Sequence, residues 1–526
     1  MLVSSFKKYC WPLIFAVFII SRLFAFSGFA PHNDEIIYTE YAQLINSNWE
    51  KYWDVSMGTM YSDYKDPLQY WLTSLTVNLF EDPLLGVRFV SLIFSFLAFY
   101  FFIKLIRKRI GETGAIISAL LWVGSTFYFY FDILGLAEVY IYTIVLLLLY
   151  SIDYLGEKYS LRTARSWILI IGITFLFLCG LLFKQTMLVI VPAILLAPFL
   201  WQPRHKVRYY ISGIVLLSFF TAKLLYNLII GNTYSDARNN SSGLISNTFS
   251  LSELSNFPVG EWMSNVKFYF FDIISSDYLL VFGLSISFVL LIISILHKRG
   301  LHWLKRYGFL FLFWILSILP TIIFLKPHNA RHYGIYLYIL FLIIAMSYKD
   351  LLQYIKNRKY RVVLFIATGL FFVTQLGTSI VDLSHFEATD LSQIEIGDSW
   401  ASPLGINELI NRMQGLDSGV VLFLSYWGHP ATTMKVYRHL FPQLLLMPLV
   451  DVREGQIRVL ADELNKDKRN LYIIFDKEND NDTSSLVQTI FNNEFLCGKR
   501  DVIPKVYKET VYQNTALVIC YTGKNK

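Results

Sequence analysis

Two adjacent carboxylates, Asp34 and Glu35, lie in the string His32-Asn33-Asp34-Glu35-Ile36-Ile37-Tyr38, just after a long apolar run. A carboxylate drawn out of water beside a second acid becomes a more effective base, so the pair is a candidate for taking a proton from a hydroxyl. The same residues also suit a helix start, with Asn33 or Asp34 as cap and Glu35 favoured by the positive end of the helix dipole. A third acid, Glu138, stands in Leu136-Ala137-Glu138-Val139-Tyr140 at the head of another apolar run, with Asp132 as its competitor nearby. Acids at membrane depth are costly and therefore functional candidates. The cations of interest are Lys65, in Lys65-Asp66-Pro67-Leu68-Gln69-Tyr70-Trp71; Lys184, in Lys184-Gln185-Thr186; and Lys326, Arg331 and His332, in Lys326-Pro327-His328-Asn329-Ala330-Arg331-His332-Tyr333. His328 and His332 have i,i+4 spacing without an intervening Glu, so no metal site is expected and anion binding fits them better. Arg22 and Lys223 lie inside apolar runs near their ends, where snorkelling accounts for them.

These residues need a membrane to position them. Of the 526 residues, 55% are hydrophobic and 16% charged, with a mean hydropathy of +0.46. Soluble domains carry roughly 25% charged residues. The balance excludes intrinsic disorder and an ordinary soluble enzyme. The net charge of +7 divides into +11 over residues 1–380 and −4 over 381–526. The basic excess thus belongs to the apolar part, where membrane topology explains it and nucleic-acid binding does not. Runs of about 20 apolar residues predict eleven spans, near 11–29, 86–104, 113–131, 135–152, 166–183, 186–201, 209–229, 277–296, 307–325, 333–348 and 361–380. The first has a basic flank, Lys7-Lys8, but no small-residue cleavage site, and is expected to be retained.

With the N-terminus in the cytoplasm, the inner connectors hold about 21 Lys and Arg against about 7 in the outer ones, a positive-inside bias. An odd span count then puts residues 381–526 outside the cytoplasm, so the expectation is a multi-pass protein of the cytoplasmic or inner membrane. The outer connector 30–85 holds two helix-like stretches, Asp34–Ile45 and Leu68–Phe80, expected to lie along the interface. The connector 230–265, rich in Ser, Asn and Gly, reads as a mobile loop. The tail alternates strand-like runs (Val420–Ser425, Leu444–Leu449, Leu471–Phe475, Ala516–Cys520) with helix-like runs near 403–414, 430–441 and 455–465, which predicts a small α/β domain. Cys497 and Cys520 are its only cysteines and could pair in an oxidising compartment.

Acids (Asp34, Glu138) and cations (Lys65, Lys184, Lys326, Arg331) from distant spans all fall on this outer face. The simplest chemistry needing both is transfer of a group from a membrane-anchored phosphate, with cations on the phosphate and a carboxylate activating the acceptor. A transporter or lipid flippase is the rival reading, since intramembrane charges suit it too. No repeat symmetry with broken helices supports it.

The Asp34-Glu35 string, Lys65-Asp66-Pro67-Leu68-Gln69-Tyr70-Trp71 and Arg88-Phe89-Val90-Ser91 resemble the polyprenyl-phosphate-sugar transferases of the GT-C fold. That group includes protein O-mannosyltransferases and lipid A aminoarabinose transferases. Glu138 stands where the group usually has Asp, Lys184 matches its Thr-Lys-Gly type turn, and Arg331 with Tyr333 its late Arg-Tyr motif. The likeness covers residues 10–350. It implies a polytopic α-helical GT-C-like catalytic domain over 1–380 and an extracytoplasmic α/β domain over 381–526. It further implies an inverting glycosyltransferase that moves a monosaccharide from a polyprenyl-phosphate carrier to a hydroxyl of a lipid, glycan or protein. Asp34 would be the base, with Glu35 as its acidic neighbour, and Glu138 would orient hydroxyls. Lys65, Lys184, Lys326, Arg331 and His332 would bind the donor phosphate. No cofactor is required, a divalent cation is allowed, and the partners are the lipid-linked donor, the acceptor and membrane lipids, with no nucleic acid.

Overall fold

The computed structural model describes residues 2–28, 33–52, 66–157, 163–184, 186–201, 205–230, 259–275, 277–296, 300–324, 334, 336–384, 406–424, 434, 436–448, 454–466, 470–477, 490, 492–507 and 510–522. The helices, in chain order, are α1 (Leu2–Gly28), α2 (Asn33–Ser47), α3 (Trp49–Tyr52), α4 (Leu68–Ser74), α5 (Pro83–Arg109), α6 (Glu112–Gly124), α7 (Thr126–Phe131), α8 (Ala137–Glu157), α9 (Ala164–Phe183), α10 (Met187–Trp201), α11 (His205–Ile230), α12 (Val259–Lys267), α13 (Tyr278–Leu296), α14 (Gly300–Phe324), α15 (Leu337–Tyr354) and α16 (Arg358–Ser384). Among the described residues, six helices are long and apolar enough to cross a membrane (α5, α8, α9, α11, α15, α16). Five shorter apolar helices lie within Cys10–Phe26, Glu112–Gly124, Met187–Leu200, Tyr278–Ile293 and Leu310–Leu319. Each of the eleven apolar runs therefore holds a helix. The lipid interior leaves a backbone little choice, since every peptide group must find its hydrogen-bond partner within the segment.

Local chemistry sets the ends of these helices. Asp82 caps α5, its carboxylate accepting from Leu84 N at 2.9 Å, with Pro83 at the first helical position. Arg107, Lys108 and Arg109 occupy the last turn of α5, where the helix dipole favours cations. Lys108 and Arg109 reach the carboxylates of Asp153 and Glu157 at the end of α8. Gly111, at φ 96°, then reverses the chain into α6. The predicted span 113–131 is two helices, because Ser125 (φ −64°, ψ 124°) is extended and breaks it between α6 and α7.

In the first outer connector the second helix is shorter than expected and the first is packed against the rest of the protein. The helical stretch after Leu68 stops at Ser74, and residues 75–82 form turns. Nor does α2 lie open along a surface: Ile36, Tyr38, Tyr41, Ala42 and Ile45 are buried, and so are Asp34, Glu35, Thr39 and Glu40. Of the connector 230–265, residues 259–265 are helical, in α12, and the rest up to 258 lie outside the described residues apart from Ile230.

The tail forms a five-stranded sheet in the order β2-β1-β3-β5-β4, from β1 (Gly419–Phe423), β2 (Leu444–Pro448), β3 (Asn470–Lys477), β4 (Lys499–Tyr507) and β5 (Thr510–Thr522). Central β1 is parallel to both neighbours, with Val421 opposite Leu446 and Tyr472, whereas β5 is antiparallel to β3 and β4. Every residue of β1 is buried, as a continuous apolar strand covered on both faces should be. Strand β4 has no counterpart in the predicted elements. Lys499, Arg500, Asp501, Pro504 and Lys505 break its apolar pattern, which an edge strand tolerates. The predicted helices near 403–414 and 455–465 are α17 (Ile406–Gln414) and α18 (Glu454–Lys466), while the described part of 430–441 forms mainly a short 3-10 turn, Arg438–Leu440. Cys497, in the short helix α19 (Glu494–Cys497), is disulfide-bonded to Cys520 of β5.

Candidate functional site

The catalytic candidates lie where the first turn of α2, the head of α5, the start of α8 and the end of α9 come together. Glu35, in the first turn of α2, is fully buried and grips Arg88 of α5 at two points: Arg88 Nε donates to Glu35 Oε1 at 2.7 Å and Arg88 Nη2 to Oε2 at 2.8 Å. Two parallel charge-assisted bonds fix orientation as well as distance. The backbone N–H of Gly135 donates to the same Oε1 at 2.7 Å, and Arg88 Nη1 donates to Phe26 O at 3.1 Å. Glu35 thus knits α1, α2, α5 and the turn before α8 into one unit. Its carboxylate is taken up by an ion pair and a backbone donor.

The turn Asp132–Leu136 is held from several sides. Gln69 of α4 donates through Nε2 to Gly135 O at 2.6 Å. A Cβ on Gly135 would come within 2.5 Å of Val87 Cγ1 and 3.2 Å of Glu35 Cγ, so the close approach requires glycine there. At the head of the turn, Asp132 accepts from Arg22 Nε at 3.0 Å and Trp122 Nε1 at 3.2 Å, and also from the Tyr142 hydroxyl. Arg22 and Asp132 are both fully buried. Arg22 therefore does not snorkel; it is half of an internal ion pair, and Asp132 is its partner.

At the first turn of α8, Glu138 is buried and its carboxylate forms an ion pair with the Lys184 ammonium. Lys184 is the C-terminal cap of α9, extended at φ −166° and ψ 136°, and its N–H donates to Gly180 O at 3.0 Å. Behind the pair, Tyr140 stacks on Phe183 at 4.8 Å between ring centroids, so the head of α8 and the end of α9 pack through an aromatic contact. About a quarter of the Lys184 side chain (26%) stays exposed. Asp34 precedes Glu35 in the first turn of α2 and is 6% exposed.

Of the expected residues, the structure brings Asp34 and Glu35 together with α5 and the turn before α8, and pairs Glu138 with Lys184. Lys65, Lys326, Arg331 and His332 lie outside the described residues. Arg88 is legible in the sequence only as part of a motif, yet it is the counter-charge of Glu35. Asp66 accepts from the Tyr226 hydroxyl at 2.6 Å, tying the start of the α4 segment to α11. Among the described residues, no cluster of three or more His, Cys, Asp or Glu could hold a metal ion.

Residues 65–226 match the model of a family described as dolichyl-phosphate-mannose-protein mannosyltransferase. No curated protein matches the chain in sequence. Among solved structures, the chain is similar to ArnT from Cupriavidus metallidurans bound to undecaprenyl phosphate, with 11% identity and a TM-score of 0.54 over 98% of this chain and 99% of that one. A weaker likeness, TM-score 0.44 at 14% identity over 88% of this chain and 68% of that one, is to the oligosaccharyltransferase of Archaeoglobus fulgidus in complex with zinc and sulfate. The chain has the GT-C fold of ArnT, as the resemblance in its motifs implied, and is an integral, multi-pass membrane protein.

Proposed function

We propose that the protein is an inverting glycosyltransferase that takes a monosaccharide from a polyprenyl-phosphate carrier and delivers it to an acceptor hydroxyl at the Asp34 end of the bundle. The observation that carries this reading is the clamp on Glu35, the acid next to Asp34. Arg88 and Gly135 N–H commit Glu35 to structure, and that clamp fixes the helical turn that presents Asp34. Asp34 takes the proton from the acceptor hydroxyl. The acceptor oxygen then bonds to the anomeric carbon from the face opposite the phosphate, and the carbon–phosphate-oxygen bond breaks with its electron pair leaving on the lipid phosphate.

Lys184 is positioned to meet the leaving phosphate. Glu138 holds its ammonium in place, so the acid acts through the lysine in this reading rather than orienting hydroxyls. Lys65, Lys326, Arg331 and His332 complete the proposed phosphate site. The fold shared with ArnT supports a lipid-phosphate carrier, since that protein was solved with undecaprenyl phosphate, and the match over residues 65–226 supports sugar transfer. The Cys497–Cys520 disulfide supports an oxidising, extracytoplasmic location for the tail and for this end of the bundle.

The test is Asp34→Asn in vesicles supplied with a panel of polyprenyl-phosphate sugars. General-base catalysis typically contributes ~10²–10⁴-fold. The variant is expected to lose at least that order of turnover while staying folded and retaining undecaprenyl phosphate binding. Near-normal transfer by Asp34→Asn refutes the base assignment; absence of transfer by the wild type with every such donor refutes the function.

A further inference from the structure

The soluble domain reaches into the junction that orders the Asp34 turn. Two residues of the membrane part are buried in the apolar cluster under one face of the sheet: Ile36, which follows Glu35 and is fully buried, and Leu84, in the first turn of α5. They share it with Leu409 and Met413 of α17 and with Tyr437. Tyr437 adds a polar tie. Its hydroxyl donates to Asp82 Oδ1 at 3.1 Å, the oxygen that caps α5 by accepting from Leu84 N at 2.9 Å. Arg88, which grips Glu35, lies six residues beyond Asp82 on the same helix. On the other side, Gln43 of α2 donates through Nε2 to Val436 O at 3.4 Å. Burial, reinforced by the Asp82 carboxylate, pushes the Tyr437 phenol above its ordinary range, so it keeps its proton and remains a donor.

We propose that the α/β domain is a working part of the catalytic centre, with Tyr437 as a positioning residue that fixes the head of α5 through Asp82 while the domain's core seats Ile36. The first turn of α2 is then held from two sides, by Arg88 from the bundle and by the sheet domain from above. The consequence for rate is large because catalytic groups act at about 3 Å, and a misplacement of about 1 Å can cost ~10²-fold. The rate consequence rests on the transfer reading; the docking does not.

The experiment uses the full chain in phospholipid vesicles and follows amide hydrogen exchange at residues 37–43 of α2 by mass spectrometry. Four proteins are compared: wild type, Tyr437→Phe, Tyr437→Ala and Leu464→Ala. Leu464 is buried against the opposite face of the sheet, so its truncation loosens the domain without touching the junction. Exchange at 37–43 is expected to quicken roughly 3–10-fold in Tyr437→Phe, the effect of about one hydrogen bond. It should quicken further in Tyr437→Ala and stay at the wild-type rate in Leu464→Ala. With any polyprenyl-phosphate sugar that the wild type uses, kcat should fall in the same order with KM unchanged. Unchanged exchange in both Tyr437 variants, or equal quickening in Leu464→Ala, overturns the proposal. A wild type that transfers no sugar defeats the transfer reading alone, and the exchange rates still decide this one.

Discussion

Replacing Glu35 by Ala removes the acceptor of two Arg88 donors, at 2.7 and 2.8 Å, and of the Gly135 N–H at 2.7 Å, at a site with no solvent to substitute. An uncompensated buried charge costs about 3–5 kcal/mol. Arg88→Met leaves the mirror-image defect and should cost a similar amount. The double variant Glu35→Leu/Arg88→Met buries no charge. What remains unsatisfied is chiefly the Gly135 N–H and the Phe26 carbonyl, at about 1–3 kcal/mol. The two single losses should therefore exceed the double loss, giving a coupling of at least about 3 kcal/mol, or roughly two decades in the folded-to-unfolded ratio. The assay is SDS-driven unfolding of the purified protein in mixed micelles, followed by tryptophan fluorescence. Additive losses, or single variants within about 1 kcal/mol of wild type, would show that the clamp does not organise this end of the bundle. Asp34→Asn should be nearly silent in the same assay, since its predicted effect is on turnover.

Four further outcomes follow from the geometry. Gly135→Ala should cost about 1–3 kcal/mol in the same unfolding assay, because its methyl would sit 2.5 Å from Val87 Cγ1. Gly369→Ala, where nothing lies within 4 Å, should be neutral or stabilising by up to about 1 kcal/mol. Lys184→Met should weaken undecaprenyl phosphate binding in a vesicle titration by about tenfold or more, and Lys184→Arg should recover part of it; equal binding in all three proteins would remove Lys184 from the phosphate site. Cys497→Ser, which opens a cross-link of sequence separation 23, should lower the stability of the tail domain by about 3 kcal/mol, read as a fall in its unfolding temperature.

Periodicity and composition determined the membrane part almost alone. A run of about 20 apolar residues in lipid has one economical backbone solution, so each of the eleven runs contains a helix. The alternating patterns in the tail similarly determined four of its five strands. Strand β4 was hidden because an edge strand with Pro504 and several charges has no local pattern to show. The sequence also singled out Asp34, Glu35, Glu138 and Lys184, since they stand at the ends of apolar runs where charge is expensive to hold.

Tertiary structure decided which charges pair. Glu35 and Arg88 are 53 residues apart, Arg22 and Asp132 110, and Glu138 and Lys184 46, and each pair is buried or partly buried. Asp34 and Glu35 are indistinguishable acids along the chain. In the folded chain, Arg88 and the Gly135 N–H converge on the Glu35 carboxylate. A partner that closes an ion pair across the bundle leaves no trace in the local sequence of either residue. The energy of the pair depends on burial and on a few tenths of an ångström, and only packing supplies both.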